Sequence, residues 1–348
     1  MKHIRKVGSL IAAGLLPLAV LTGCGGAATA PSPDGTGATA PEGETVELRL
    51  GVQMAAETSF GRAANDLAEM VAERSDGRIT IEVFTDGVLG DELEMWESMQ
   101  AGTLDMSVTS PGRISNFVPE YFVYELPYIF TDYAHRDAVA DSPVGEKIDA
   151  ILTEEAGIVV LGQMGGSARY LLTTDTEAPD LADIDGVKMR VQEAQIVVDT
   201  WTALGTLPVT VAYNETYTAL QTGVVNAAEN ELSTFTTMKW YEPSNYLMLT
   251  AHSIGMRPLV ISEATFSKLS ESDQQLLREA GQEAALKAVE YERADEEAAF
   301  AELQELGITL VDLTDKQEWI DATAPIRDNF AAEHDGMPEI MQEIAATK

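Results

Sequence analysis

Between Val46 and Ser110 the chain alternates between two hydrophobic periods, and this constrains the fold more than any other feature. VELRLGV at 46–52 puts Val46, Leu48, Leu50 and Val52 at every second position, the period of a half-buried strand. GRAANDLAEMVAERSDG then sets Ala64, Leu67, Ala68 and Val71 on one face at helical spacing, with Gly77 as a stop. ITIEVF at 79–84 is a second alternating strand, residues 91–101 read as a helix, and LDMSVTS at 104–110 as a third strand. This order implies parallel crossovers in an α/β sheet with helices on both faces. The pattern resumes with strands at GIVVLGQM (157–164) and GVKMRV (186–191) and a helix from about 193 to 204, so a second α/β lobe is expected. After Ser270, SESD carries a Ser-x-x-Asp start signal for a helical stretch reaching Gly307. A helix of that length either bends or spans both lobes.

The N-terminus reads differently. Lys2, Arg5 and Lys6 precede an apolar run at 7–21, interrupted by Gly8, Ser9, Gly14 and Pro17 and followed by the small Thr22 and Gly23. That is a signal peptide over 1–23, too short for a transmembrane span. Cys24 is the only cysteine, so it closes no intrachain disulfide. LTGC resembles a bacterial lipobox, in which cleavage before the cysteine leaves a lipid-carrying thiol; an ordinary signal peptide with an incidental cysteine is the competing reading. Residues 25–44 have no aromatic and no large aliphatic side chain and cannot offset chain entropy by burial. Residues 24–44 are therefore expected to form a flexible tether with a reach of roughly 25 Å.

The formal charge is −35, and removal of residues 1–23 leaves −38. That field opposes nucleic acid and anionic headgroups. His3, His135, His252 and His334 are scattered with no His-Glu-x-x-His pair, so no metal site is expected. There is no Gly-x-Ser-x-Gly elbow and no Gly-Lys-Ser/Thr phosphate loop, and GGSAR at 165–169 reads as a backbone bend at a lobe boundary. Nothing singles out an acid/base pair among 57 acidic residues. No catalytic residue and no cofactor is expected.

Basic residues are rarer and say more. Between 160 and 260 there are five: Arg169, Lys188, Arg190, Lys239 and Arg257. In VKMRVQ, Val187, Met189 and Val191 take one strand face, so Lys188, Arg190 and Gln192 project from the other, near the carboxyl end where open α/β sheets bind ligands. An arginine fork can hold a carboxylate bidentately. Pairing with one of the many acids is the competing assignment on the residues alone.

Over nearly all of 46–345 the chain resembles the solute-binding proteins of tripartite ATP-independent periplasmic (TRAP) transporters, the dicarboxylate and sugar-acid binding family. The stretches that carry this are SDGRITIEVFTDGVLGDE, AGTLDM, ELPYIF, DSPVGEKI, GSARYLLT, IDGVKMRVQ, ALGTLPVTVAYNETYTALQTGVVNAAEN and the helix after SESDQQLLREAG. The resemblance implies an α/β, two-lobe periplasmic-binding-protein-like fold with a hinge and a long helix spanning both lobes. Lobe 1 is expected over 45–167 and about 255–290, and lobe 2 over 168–254 and about 291–348. It further implies that Arg190 clamps the carboxylate of an organic acid and that Arg169 is the family's second arginine. Tyr213 would then be its aromatic and Asn230 its asparagine, with Gln53, Glu57, Glu92 and Ser110 as first-lobe contacts. Asn226 and Glu231 depart from the family pattern, while RVQ and Ala-Glu-Asn look more like binders of uronates or aldonates than of sialic acid or four-carbon dicarboxylates. The expected function is extracytoplasmic capture of a small organic acid by a lipid-anchored protein, with delivery to TRAP permease subunits in the membrane. Alternatives are a secreted lipoprotein enzyme acting on organic acids and a ligand sensor for a receptor kinase.

Overall fold

The computed structural model describes residues 44–348. The expected signal peptide, Cys24 and the expected tether as far as residue 43 lie outside the described residues. Among the described residues no helix is long and apolar enough to cross a membrane.

Among the described residues eleven strands form two sheets. They are β1 (Val46–Val52), β2 (Ile79–Phe84), β3 (Met106–Val108), β4 (Ile158–Gln163), β5 (Ala168–Thr173), β6 (Lys188–Val191), β7 (Leu207–Thr210), β8 (Ala227–Glu231), β9 (Tyr246–Ile254), β10 (Pro258–Ser262) and β11 (Thr309–Val311). The first sheet has the order β2-β1-β3-β10-β4 and the second β11-β9-β5-β8-β6-β7. Strands β1, β2 and β3 pair in parallel, as the strand–helix alternation requires. The sheets are nonetheless mixed: β10 runs antiparallel to both β3 and β4, and β5 antiparallel to β8 and β9. Strand β10 returns from the second sheet to the first, and a chain arriving from that side enters the sheet in the opposite sense.

The early helices are capped by the residues that begin them. Asp91 accepts from the Leu93 and Glu94 amides while Glu94 reaches back to the Asp91 amide, fixing the start of helix Glu92–Gln100. Ser270 accepts from the Asp273 amide at 3.2 Å and opens the 35-residue helix Glu271–Glu305. A cap of this kind contributes about 1 kcal/mol. The helix spans both lobes. Leu277, Ala280, Ala284, Ala285 and Ala288 join the core of the first sheet, whereas Ala299 and Leu303 join a core with Tyr170, Leu172 and Trp240 of the second. Small residues allow the close approach: a Cβ on Gly281 would lie 2.7 Å from the Leu161 Cβ.

The chain crosses between sheets at Gly165–Ser167 and again at Gly255–Arg257, and these crossings bond to each other. The Met164 amide donates to the Arg257 carbonyl at 2.8 Å and the Arg257 amide to the Gly165 carbonyl at 2.9 Å. Buried Arg136 donates to the carbonyls of Gly166 and Gly255, tying both crossings to one side chain. Gly165 has φ +70°, and a Cβ there would stand 2.7 Å from Val289 on the long helix. Only glycine meets both demands. GGSAR is thus a bend between sheets, as its lack of phosphate-loop spacing implied.

Candidate functional site

Strand β6 lies between β7 and β8 in the second sheet, with Arg190 opposite Val209 and Ala228. Side chains alternate along a strand, so the face that carries Arg190 and Ala228 also carries Asn230, while Glu229 takes the other. Arg169, opposite Glu231 on β5, shares the Glu229 face. This alternation decides how the charges pair. Arg169 holds Glu229 with both ends of its fork, Nε to Oε2 at 2.6 Å and Nη2 to Oε1 at 2.8 Å. Arg190 donates from Nε to the Val211 carbonyl at 3.0 Å and lies 5.6 Å from the centroid of the Trp240 ring. Among the described residues it has no carboxylate within salt-bridge distance, although it is only 2% exposed.

The electrostatics follow from this. Burial lowers the Arg190 guanidinium to about 10; Glu229 opposes the shift, and Arg169 and Arg113 add to it. Burial also works against charge on Glu229, but Arg169 and then the hydrogen bond from His252, at 3.3 Å, outweigh it and hold this carboxyl well below the usual range. A buried cation without a counter-ion in contact is costly.

The edge of the first sheet meets this region in two places. After β3, Arg113 Nη1 and Asn116 Nδ2 donate to the Glu193 carbonyl at 3.3 and 2.9 Å. The Gly112 amide donates to Glu125 Oε2 at 2.7 Å, and Gln192 Nε2 to Glu125 Oε1 at 3.4 Å. A Cβ on Gly112 would fall 2.0 Å from Gln192 Nε2, so glycine permits the contact. After β2, the Cβ position of Gly87 lies 3.7 Å from Asn214 Nδ2 and 3.8 Å from the Gln53 carbonyl, which brings Gln53 near the Tyr213 segment.

The residues expected from the sequence fall into three groups. Arg190, Asn230, Tyr213 and Gln53 keep polar atoms in reserve: Asn230 uses only Oδ1, accepting from the Glu231 amide, and buried Gln53 makes no side-chain hydrogen bond within the described chain. Tyr213 packs 5.6 Å from Trp240 and touches Thr234 at 3.5 Å. Arg169, Glu92 and Ser110 are buried but largely engaged. Arg169 binds Glu229, and Glu92 accepts from the Ser110 hydroxyl at 2.6 Å and from Arg257 Nη1 at 2.6 Å. Glu57 is exposed on the loop after β1. Sequence reasoning missed Trp240, Arg113 and Glu125. Glu229 was visible in the Glu-Asn pair and Gln192 in VKMRVQ, yet nothing local marks Trp240 or Arg113 as neighbours of residue 190.

Comparisons with known proteins identify the family. The family model for bacterial extracellular solute-binding protein, family 7, matches residues 50–334. A solute-binding protein of Sulfitobacter sp. (strain NAS-14.1) is 32% identical over 307 residues, covering 88% of this chain and 92% of its own length. The 2,3-diketo-L-gulonate-binding periplasmic protein of Escherichia coli (strain K12) is 26% identical over 284 residues, 81% of this chain and 86% of that one. Among solved structures, a TRAP periplasmic solute-binding protein from Bradyrhizobium in complex with D-galacturonate superposes with a TM-score of 0.83 at 31% identity, over 86% of this chain and all of the other. One from Chromohalobacter salexigens with bound D-glucuronate gives 0.84 at 29%, with the same coverage. These are solute-binding proteins rather than enzymes, in accord with the sequence reading, and the two-lobe fold is theirs. The chain belongs to the bacterial extracellular solute-binding protein family 7.

Proposed function

We propose that this protein captures a hydroxylated sugar acid, a uronate or an aldonate, outside the cytoplasm and hands it to a TRAP permease. The observation that carries the reading is Arg190: a buried guanidinium with both Nη groups left over by the protein, at the carboxyl end of its strand. A ligand carboxylate would take the two Nη donors side by side. Asn230, Gln53 and the remaining Nη1 of Arg169 would bond hydroxyls, and Tyr213 with Trp240 would give the sugar an apolar wall. Burial by the two lobes would remove the ion pair from water and strengthen it. The relatives described with galacturonate and glucuronate support the choice of ligand class. The lobes over 45–167 with about 255–290, and 168–254 with about 291–348, would close about the paired crossings. Lipidation of Cys24 would hold the protein at the membrane by its tether.

Native mass spectrometry of freshly purified protein tests the reading. A co-purified acid that is lost with Arg190→Ala supports it, whereas a bound molecule without a carboxylate refutes it. Mass spectrometry of membrane-extracted protein tests the anchor, which fails if the mature chain begins elsewhere or Cys24 carries no lipid.

A further inference from the structure

Four arginines lie close enough to influence one another around the edges of the two sheets: the buried Arg113, Arg169 and Arg190 and the half-buried Arg257. Three are already matched. Arg169 is held bidentately by Glu229, Arg257 Nη1 meets Glu92 Oε1 at 2.6 Å, and Arg113 Nη2 meets Asp91 Oδ2 at 3.2 Å. Among these four, Arg190 alone has no carboxylate in contact, and Glu229 acts on it only from beyond salt-bridge distance. Two further buried carboxyls, Glu125 and Glu231, stand near the same arginines without a close ion pair; the nearest cation to Glu125 is Arg169 Nε at 3.9 Å. Burial pushes both above the usual carboxylate range, Glu231 to about 7 with Glu292 adding to the shift. Neither supplies the positive charge that a second anionic group would need, while a hydroxyl can donate to either.

Resting on the sugar-acid reading above, we infer that the cleft admits a polyhydroxylated acid with one carboxylate and rejects the corresponding dicarboxylate, and that Glu229 sets this limit by cancelling the charge of Arg169. Arg169 keeps a free Nη1 and so still serves as a hydrogen-bond donor. What it lacks is net charge. The strand alternation that turns Glu229 toward Arg169 and away from Arg190 therefore makes one arginine a carboxylate site and leaves the other a hydroxyl site.

Calorimetric titration of the mature chain with D-galacturonate, D-galactonate and galactarate tests this. Like charges brought together without a counter-ion cost several kcal/mol, so the better of the two monocarboxylates should bind roughly 100-fold more tightly than galactarate. Galactonate and galactarate share an open chain and differ only at one terminal carbon, so a galactonate preference of about tenfold or more on the wild-type protein isolates the charge. In Glu229→Gln, which frees the Arg169 charge while keeping the side-chain shape, the ratio of monocarboxylate to galactarate affinity should narrow by about tenfold or more. Galactarate binding as tightly as galactonate, or an unchanged ratio in folded Glu229→Gln, overturns the inference and leaves the Arg190 clamp standing. No binding of any of the three acids overturns the sugar-acid reading and the inference with it.

Discussion

Replacing Arg190 separates a ligand clamp from a structural ion pair, because the two roles move stability in opposite directions. The side chain is 2% exposed, its one hydrogen bond goes to the Val211 carbonyl at 3.0 Å, and no acid of the described chain pairs with it. In the complex, truncation to alanine leaves the ligand carboxylate buried without its partner, a loss of about 2–5 kcal/mol. At 1.4 kcal/mol per decade this weakens Kd by roughly 30-fold to several thousand-fold. Arg190→Lys keeps a charge but cannot hold Val211 and both carboxylate oxygens at once, so its loss should be smaller, about 10- to 100-fold. In the absence of ligand the sign reverses: Arg190→Met removes a desolvated cation with no counter-ion and should be neutral or stabilising by about 1–3 kcal/mol. Calorimetry gives the affinities, and thermal melting with and without ligand gives the stabilities. The reasoning is refuted if Arg190→Ala binds nearly as well as wild type. It is equally refuted if Arg190→Met lowers the ligand-free midpoint as far as Arg169→Met, which strands Glu229, is expected to do.

Gly112→Ala drives a Cβ into the position of Gln192 Nε2 and should cost on the order of 1 kcal/mol in ligand binding, about fivefold in Kd, without touching the ligand. Small-angle scattering should show less ligand-induced compaction, and unchanged compaction with unchanged affinity would dismiss this contact between the lobes. Glu231 has a folded pKa near 7, above its unfolded value, so its protonated form is favoured by folding. Its contribution is complete below about pH 4.3 and is lost as pH rises toward 7, on the order of 3 kcal/mol, and Glu231→Gln should flatten this fall in denaturant titrations from pH 4.5 to 7.5. Finally, a chain at −35 repels an anionic ligand at long range while the Arg190 contact is local, so stopped-flow association should rise or hold steady with ionic strength, and a steep drop would contradict it.

Much of the architecture is legible locally because its signals are local. The two-residue period of VELRLGV and ITIEVF, the helical spacing of Ala64, Leu67 and Val71, and the Ser270 cap each act within a few residues, and the structure places strands and helices there. The return of β10 into the first sheet carries no such signal: PLVIS is a short apolar run whose partners are set by a crossing that packs against Arg136 and β4.

The site divides along the same line. Sequence alone determined that a rare arginine stands near the end of a strand and that asparagine, glutamine and tyrosine are available as neighbours. Only the tertiary structure decided which arginine is spent, because Arg169 and Glu229 are 60 residues apart and meet through strand register, and pleating then turns Glu229 away from Arg190. It likewise decided that Glu57 faces solvent while Trp240 flanks the guanidinium. With 57 acids for 22 lysines and arginines, composition allows every cation a partner. Among the described residues packing leaves one buried guanidinium without a carboxylate in contact, since desolvation and distance, rather than abundance, govern which charges meet.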